Sequence, residues 1–169
     1  MDSRASGTKD GLVFTSPDGQ FIAFVDPAIA GFEHQTFGVW VERDYPTRLL
    51  GVASFGNRTA AGSLPAGTAT YNGGSLGIAA EFDADWYVTV SDIRITTDFA
   101  TASISSAGTE IVRASTMSAF TAPGLDFTGS GPVSGTGFSA PVTGGLGLSG
   151  DATGLFYGPG AEEVGGTFG

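Results

Sequence analysis

Short runs in which apolar and polar positions alternate, broken by glycine, proline and small polar clusters, make up most of this chain and predict β-strands. Phe21 to Val25 reads as a strand after a turn at Ser16 to Gly19, with Pro17 second and Gly19 fourth in the turn. Thr36 to Arg43 and Leu49 to Gly56 flank Asp44 to Arg48, which predicts a hairpin with a polar-aromatic tip. In the next run the apolar positions change parity, from Ala69 and Tyr71 to Leu76, Ile78 and Phe82. Side chains alternate strictly along a strand, so this change predicts a turn or bulge at Asn72 to Gly74. The same reasoning places a break near Ser91 and Asp92, where Trp86, Val88 and Val90 give way to Ile93 and Ile95. Thr97 to Ser106 and, more weakly, Glu110 to Thr116 continue the strand pattern, and Pro123-Gly124 marks a turn. Beyond it come short β segments at 126–129, 137–142, 146–150, 153–157 and 164–168, with no repeat of 20 to 50 residues.

Composition narrows this to an all-β chain. The 28 glycines and 13 phenylalanines, with few Leu, Lys or Glu, disfavour helices and suit short strands joined by tight turns. Phe lies beside Gly at Phe37-Gly38, Phe55-Gly56 and Gly137-Phe138, as in strands that curve where a sheet coils into a barrel. The expectation is one antiparallel up-and-down β-barrel of about eight strands, with a polar lead-in over 1–11 and the barrel over 12–169.

Charge and residue inventory remove several function classes. Seventeen acidic residues against seven Lys and Arg give a net charge of −10, which repels nucleic-acid phosphates. With no cysteine there is neither a disulfide framework nor a thiolate nucleophile. No stretch approaches the ~20 apolar residues of a membrane-spanning helix. Met1 to Gly11 has no apolar signal-peptide core, so if the protein is exported, its signal or anchor lies outside this sequence or export uses another route. An enzyme is not expected, because His34 is the one imidazole base and no nucleophile is marked beside it.

Binding residues are easier to nominate. The tip residues Asp44, Tyr45 and Arg48 combine an aromatic with both charge signs, and Arg58 is a candidate to join them. A plain hairpin connection is the competing reading. His34 is a surface residue on the simplest view and an axial haem ligand on the functional one. The pairs Asp83/Asp85 and Glu162/Glu163 read as solvated turn carboxylates or as hard-cation or acid–base groups. Trp40, Trp86 and Tyr45 leave room for glycan binding, against the usual core role of strand tryptophans.

The segment Gly154 to Phe168 runs from an aromatic strand end through a Gly158-Pro159 turn and Ala161-Glu162-Glu163 to Gly165-Gly166-Thr167-Phe168. It resembles the sequence closing the barrels of bacterial transferrin-binding-protein-like solute-binding proteins. Thr36 to Trp40, Gly51 to Gly56, Gly67 to Gly74 and Asp98-Phe99 are similar to that family in order and spacing, so that the resemblance covers roughly 32–168. It implies an eight-stranded barrel, an extracellular or cell-surface location, and binding of a protein, haem or small ligand through barrel-end loops. No transferrin-contacting residue carries over, and the lipid-anchor cysteine is missing. In such relatives a further β segment follows the matching Gly-Gly-x-Phe, whereas here Gly169 alone follows. Two readings result: a ligand-binding surface barrel, or a structural subunit of an extracellular assembly that pairs strands through an open barrel edge. Either way Gly166 to Gly169 is expected at a barrel seam.

Overall fold

A computed structural model describes residues 11–15, 21–44, 47–80, 86–113, 116 and 118–169, with side chains described for 22–41, 50–79, 87–113, 116 and 118–169. Among the described residues, twelve strands form two antiparallel sheets. The first holds β1 (Gly11–Thr15), β2 (Phe21–Val25), β3 (Gln35–Asp44) and β4 (Thr47–Gly56) in sequence order. One helical turn, α1 (Pro27–Ala30), joins β2 to β3; Asp26 caps it by accepting from Ala28 N at 3.0 Å, and Gly31 ends it with φ 77°. Four residues are too few to show a helical period, so nothing in the apolar pattern marks this turn. Among the described residues no helix is long and apolar enough to cross a membrane.

The second sheet forms a nearly closed antiparallel barrel. Its strands are β5 (Ala69–Ala80), β6 (Trp86–Thr97), β7 (Thr101–Arg113), β8 (Ala119–Thr121), β9 (Phe127–Ser134), β10 (Gly137–Gly144), β11 (Ser149–Tyr157) and β12 (Glu163–Phe168). The pairing order is β12-β11-β10-β9-β7-β6-β5, with β8 on β7. Both β8 and β9 pair along the edge of β7 that faces away from β6, β8 at Glu110 to Val112 and β9 at Thr101 to Ser105. A 3-10 turn at Pro123–Leu125 carries the chain between them, on the expected Pro-Gly turn. Thus the barrel strands begin at Ala69, and 11–56 form a sheet of their own. Of the lead-in expected over 1–11, Gly11 opens β1, and residues 1–10 lie outside the described residues, as do the turn at Ser16 to Gly19, Asp83, Asp85 and the side chain of Trp86.

The parity change in β5 is real, but its expected cause is not. β5 pairs with β6 in unbroken register from Ala69↔Thr97 to Ala80↔Trp86, with no turn or bulge at Asn72 to Gly74. The two apolar sets lie on opposite faces of one strand, and each meets a different partner. Tyr71, Ile93, Ile95 and Ile104 pack inside the barrel against Phe138 and Phe156. Leu76, Ile78, Val88 and Val112 face outward and pack on Ala23, Val39 and Val41 of the first sheet. The break expected near Ser91 is a bulge, carried by the neighbouring strand. The β6–β7 register shifts between Val90↔Glu110 and Asp92↔Ala107, leaving Gly108 and Thr109 opposite Ser91. Gly108, at φ 65°, makes the bulge possible and moves the inward positions of β7 from Ala102, Ile104 and Ser106 to Thr109.

Other strand expectations shift for local reasons. Thr97 ends β6 instead of opening a new strand, because Asp98 accepts from Ala100 N at 3.0 Å and Thr101 N at 2.7 Å and closes a turn. Phe99 takes φ 62° in that turn and places its ring 5.4 Å from Phe156. Residues 145–147 form a 3-10 turn, so the segment expected at 146–150 becomes the approach to β11. The hairpin of β3 and β4 is as expected, with Asp44 opposite Thr47.

Phe156 is fully buried and meets Tyr71, Phe99 and Phe138. Phe156→Ala is expected to lower the unfolding free energy by about 3–5 kcal/mol in a denaturant titration, whereas exposed Ser139→Ala on β10 changes it by less than ~0.5 kcal/mol. Asp126 just before β9 accepts from Thr109 Oγ1 at 2.6 Å and Thr109 N at 3.0 Å, and the hydroxyl bond above all holds its carboxyl below the ordinary 3.8. A carboxyl lowered on folding adds stability above its unfolded pKa and loses it as pH falls through the folded value. Asp126→Asn keeps an acceptor without a titration, so its stability should fall less than that of the parent chain below about pH 4. An identical acid limb in both proteins would contradict this.

Candidate functional site

The two ends of the barrel path, β5 and β12, do not pair with each other. Almost all of their Cα atoms lie more than 8 Å apart, against the ~4.8 Å of a paired ladder. Side chains bridge this seam instead. At one end the Tyr71 hydroxyl donates to the Ala161 carbonyl at 2.6 Å, and at the other Phe168 reaches over Gly77 while its ring lies 4.8 Å from that of Phe127. Burial chiefly, and Glu162 nearby, push the Tyr71 phenol above its ordinary 10.0, so it stays a neutral donor. Ala161 holds φ 61° and is itself buried, which aims its carbonyl at Tyr71.

A cavity of about 390 Å³ opens through the seam. Its floor is Ile93, Ile95, Ile104 and Phe138 inside the barrel, and its rim includes Tyr71, Asn72, Gln35, Glu162 and Glu163. This combination of apolar floor and polar rim suits a ligand pocket.

The closing segment docks the first sheet at the same place. Glu163 accepts from Glu33 N at 2.6 Å and from His34 N at 3.2 Å. Asn57 N donates to His34 O, Gly158 N to Asn57 O, and Thr59 N to Phe156 O, so 57–59 runs along the end of β11. Arg58 pairs there with Tyr157, and the Thr59 hydroxyl donates to Gly158 O at 2.8 Å. Two glycines of the closing sequence are fixed by this approach. A Cβ on Gly165 would overlap Ser54 Oγ and Gln35 Oε1, and one on Gly158 would strike the Glu162 carboxylate and the His34 ring, at a φ of 85°. Ser54 Oγ also lies 3.1 Å from Tyr157 Oη and donates to Gln35 Oε1 at 3.2 Å.

The nominated residues divide between two places. His34 and Arg58 come together at the closing turn, beyond the base of the β3–β4 hairpin. Asp44 and Arg48 lie at its far end, with Arg48 opposite Arg43; ten residues of strand separate the two places by about 30 Å. Tyr45 and the side chains of Asp44 and Arg48 lie outside the described residues. Arg58 therefore stands away from the tip it was expected to extend. His34 is half-buried against Gly158 and does not line the cavity. The Gly160 N–H foremost, with His34 a smaller contribution, holds the exposed Glu162 carboxyl below its ordinary 4.5. Among the described residues no three His, Cys, Asp or Glu side chains are placed to share a metal ion. Trp40 is half-buried and lies over Gly51. Tyr71, Gln35 and Ser54 escaped nomination, since an isolated polar residue in a strand pattern carries no signal of what faces it.

No family model matches the sequence, and no curated protein matches it. In structure the chain is similar to transferrin-binding protein B of Haemophilus parasuis, a vaccine antigen, with a TM-score of 0.61 and 16% identity. The superposition covers 96% of this chain and 34% of that one, so this chain spans about a third of its neighbour's length. At that identity the likeness is one of fold.

Tyr71→Phe removes the seam hydrogen bond and leaves the ring in place. It is expected to cost about 1 kcal/mol in chemical denaturation, with faster amide exchange in β5 and in the 158–162 turn. Unchanged exchange at both would show that this bond does not brace the seam.

Proposed function

We propose that this chain is a non-enzymatic binding barrel of an extracellular or bacterial cell-surface protein, taking a protein, haem or small ligand at the barrel end where the seam cavity opens. The observation that carries the reading is the cavity of about 390 Å³ with its apolar floor and polar rim. Its volume lies in the range of small-molecule sites. Arg58 is exposed beside this end of the barrel and offers a charged side chain to a protein partner. The fold likeness to a protein named for binding transferrin supports a protein ligand. The absence of cysteine and the single histidine, whose ring packs on Gly158, support a binding role over catalysis. A role as an assembly subunit draws on a separate observation, the unpaired facing edges of β5 and β12.

Haem titration followed by absorbance, together with pull-down by iron-carrier proteins, tests the reading. A haem complex in the cavity is expected to keep its Soret shift in His34→Ala, since His34 lies outside the lining, and a protein complex to weaken about tenfold in Arg58→Glu. Clean negatives with both ligand classes would sink the proposal.

A further inference from the structure

With the strands of the described residues alone, the barrel does not close on itself as an antiparallel sheet. Its eight strands occupy seven positions, because β8 and β9 share one edge of β7. Every neighbouring pair along the path is antiparallel. Counting along seven alternating positions, β5 and β12 run in the same direction. A ladder between them would have to be parallel, and the gap left for one absent strand is about twice the ladder spacing, ~10 Å. One more strand, opposite in direction to both, restores alternation and satisfies both edges.

Both faces of this gap carry apolar side chains, inside a rim of polar ones. On the barrel side stand Ile93, Ile95 and Phe138, with Phe168 between β12 and Gly77. On the outer side β3 and β4 lie across the gap, and a second cavity of about 340 Å³ runs between Leu50 and Val52 of β4 and Leu76, Ile78 and Phe168 of the barrel. Leu50 and Val52 are 50% and 40% exposed although they lie on the face of the first sheet that packs on the barrel. Their exposure is what an unfilled gap beneath them produces. Alternation fixes the orientation of an occupant, and charge bears on the residues at its end. A strand antiparallel to β12 brings its C-terminal end to the start of that strand, beside Glu162 and Glu163 on a chain of net charge −10.

We propose that the seam is a receiving slot for an extended segment of another polypeptide, apolar on both faces, running opposite to β5 and β12, and ending in basic residues. The proposal rests on the seam being the binding site and names the class of ligand it takes. Main-chain hydrogen bonds to two edges would give affinity, and the two apolar walls would select β-branched and aliphatic side chains.

The test uses the whole chain and a synthetic peptide, Thr-Val-Ile-Val-Thr-Val-Lys-Lys, followed by fluorescence anisotropy and amide hydrogen exchange. Binding is expected with added protection confined to β5 and β12. It should weaken about tenfold or more when two central residues become proline, when Lys-Lys becomes Glu-Glu, and in Leu50→Lys. Leu50 is half-exposed, so its variant should keep the parent melting temperature. The proposal is overturned if the peptide leaves β5 and β12 unprotected, or if the proline peptide binds as well. It is also overturned if light scattering shows the chain filling its own seam by reversible dimerisation with β5 protected. Peptide failure with haem or carrier binding intact removes the strand ligand alone; the opposite pattern removes the earlier ligand classes and leaves the slot.

Discussion

Burial of one sheet on both faces is the constraint on which this structure depends. Strands β5 to β7 are too long for the barrel interior to cover all of their apolar side chains. Their early β5 and late β6 positions turn inward onto Phe138 and Phe156, while Leu76, Ile78, Val88 and Val112 turn outward and need the first sheet. Apolar surface left in water costs about 25 cal/mol per Å², so the contact between the two sheets stabilises both. The first sheet is thereby a second wall for the barrel strands.

That docking explains the chemistry of the closing segment. Two sheets can approach this closely only where side chains are absent, and Gly158 and Gly165 stand where His34, Gln35 and Ser54 arrive. Glu163 then satisfies the peptide groups of Glu33 and His34, which would otherwise lack partners at the junction. The same junction lies beside the seam where β12 and β5 stay unpaired. The cavity, the exposed Leu50 and Val52, and the side-chain braces at Tyr71 and Phe168 all lie along that open seam.

Much of this was legible in the order of residues, because strand formation is local. Alternation and glycine spacing mark the β3–β4 hairpin and the β11–β12 hairpin, whereas the place of the last strand at the seam is an expectation from the family resemblance. The parity change at Asn72 was equally visible, yet its meaning was not, since alternation records that a face changes and not what covers it. A bulge and a second packing partner leave the same trace, and β5 has the partner while the bulge sits on β7 at Gly108.

By itself, then, the sequence determined an all-β chain, its glycine-dependent turns, its acidity and the absence of thiol chemistry, all properties of composition and near neighbours. Only the tertiary structure decided that the strands divide into two sheets, that His34 and Arg58 meet at the closing turn while Asp44 and Arg48 lie at the other end of the hairpin, and that the barrel stays open. Those outcomes depend on which distant faces meet and on how many positions the sheet has. Pairing register and position count are properties of the assembled sheet, and no stretch of a dozen residues contains them.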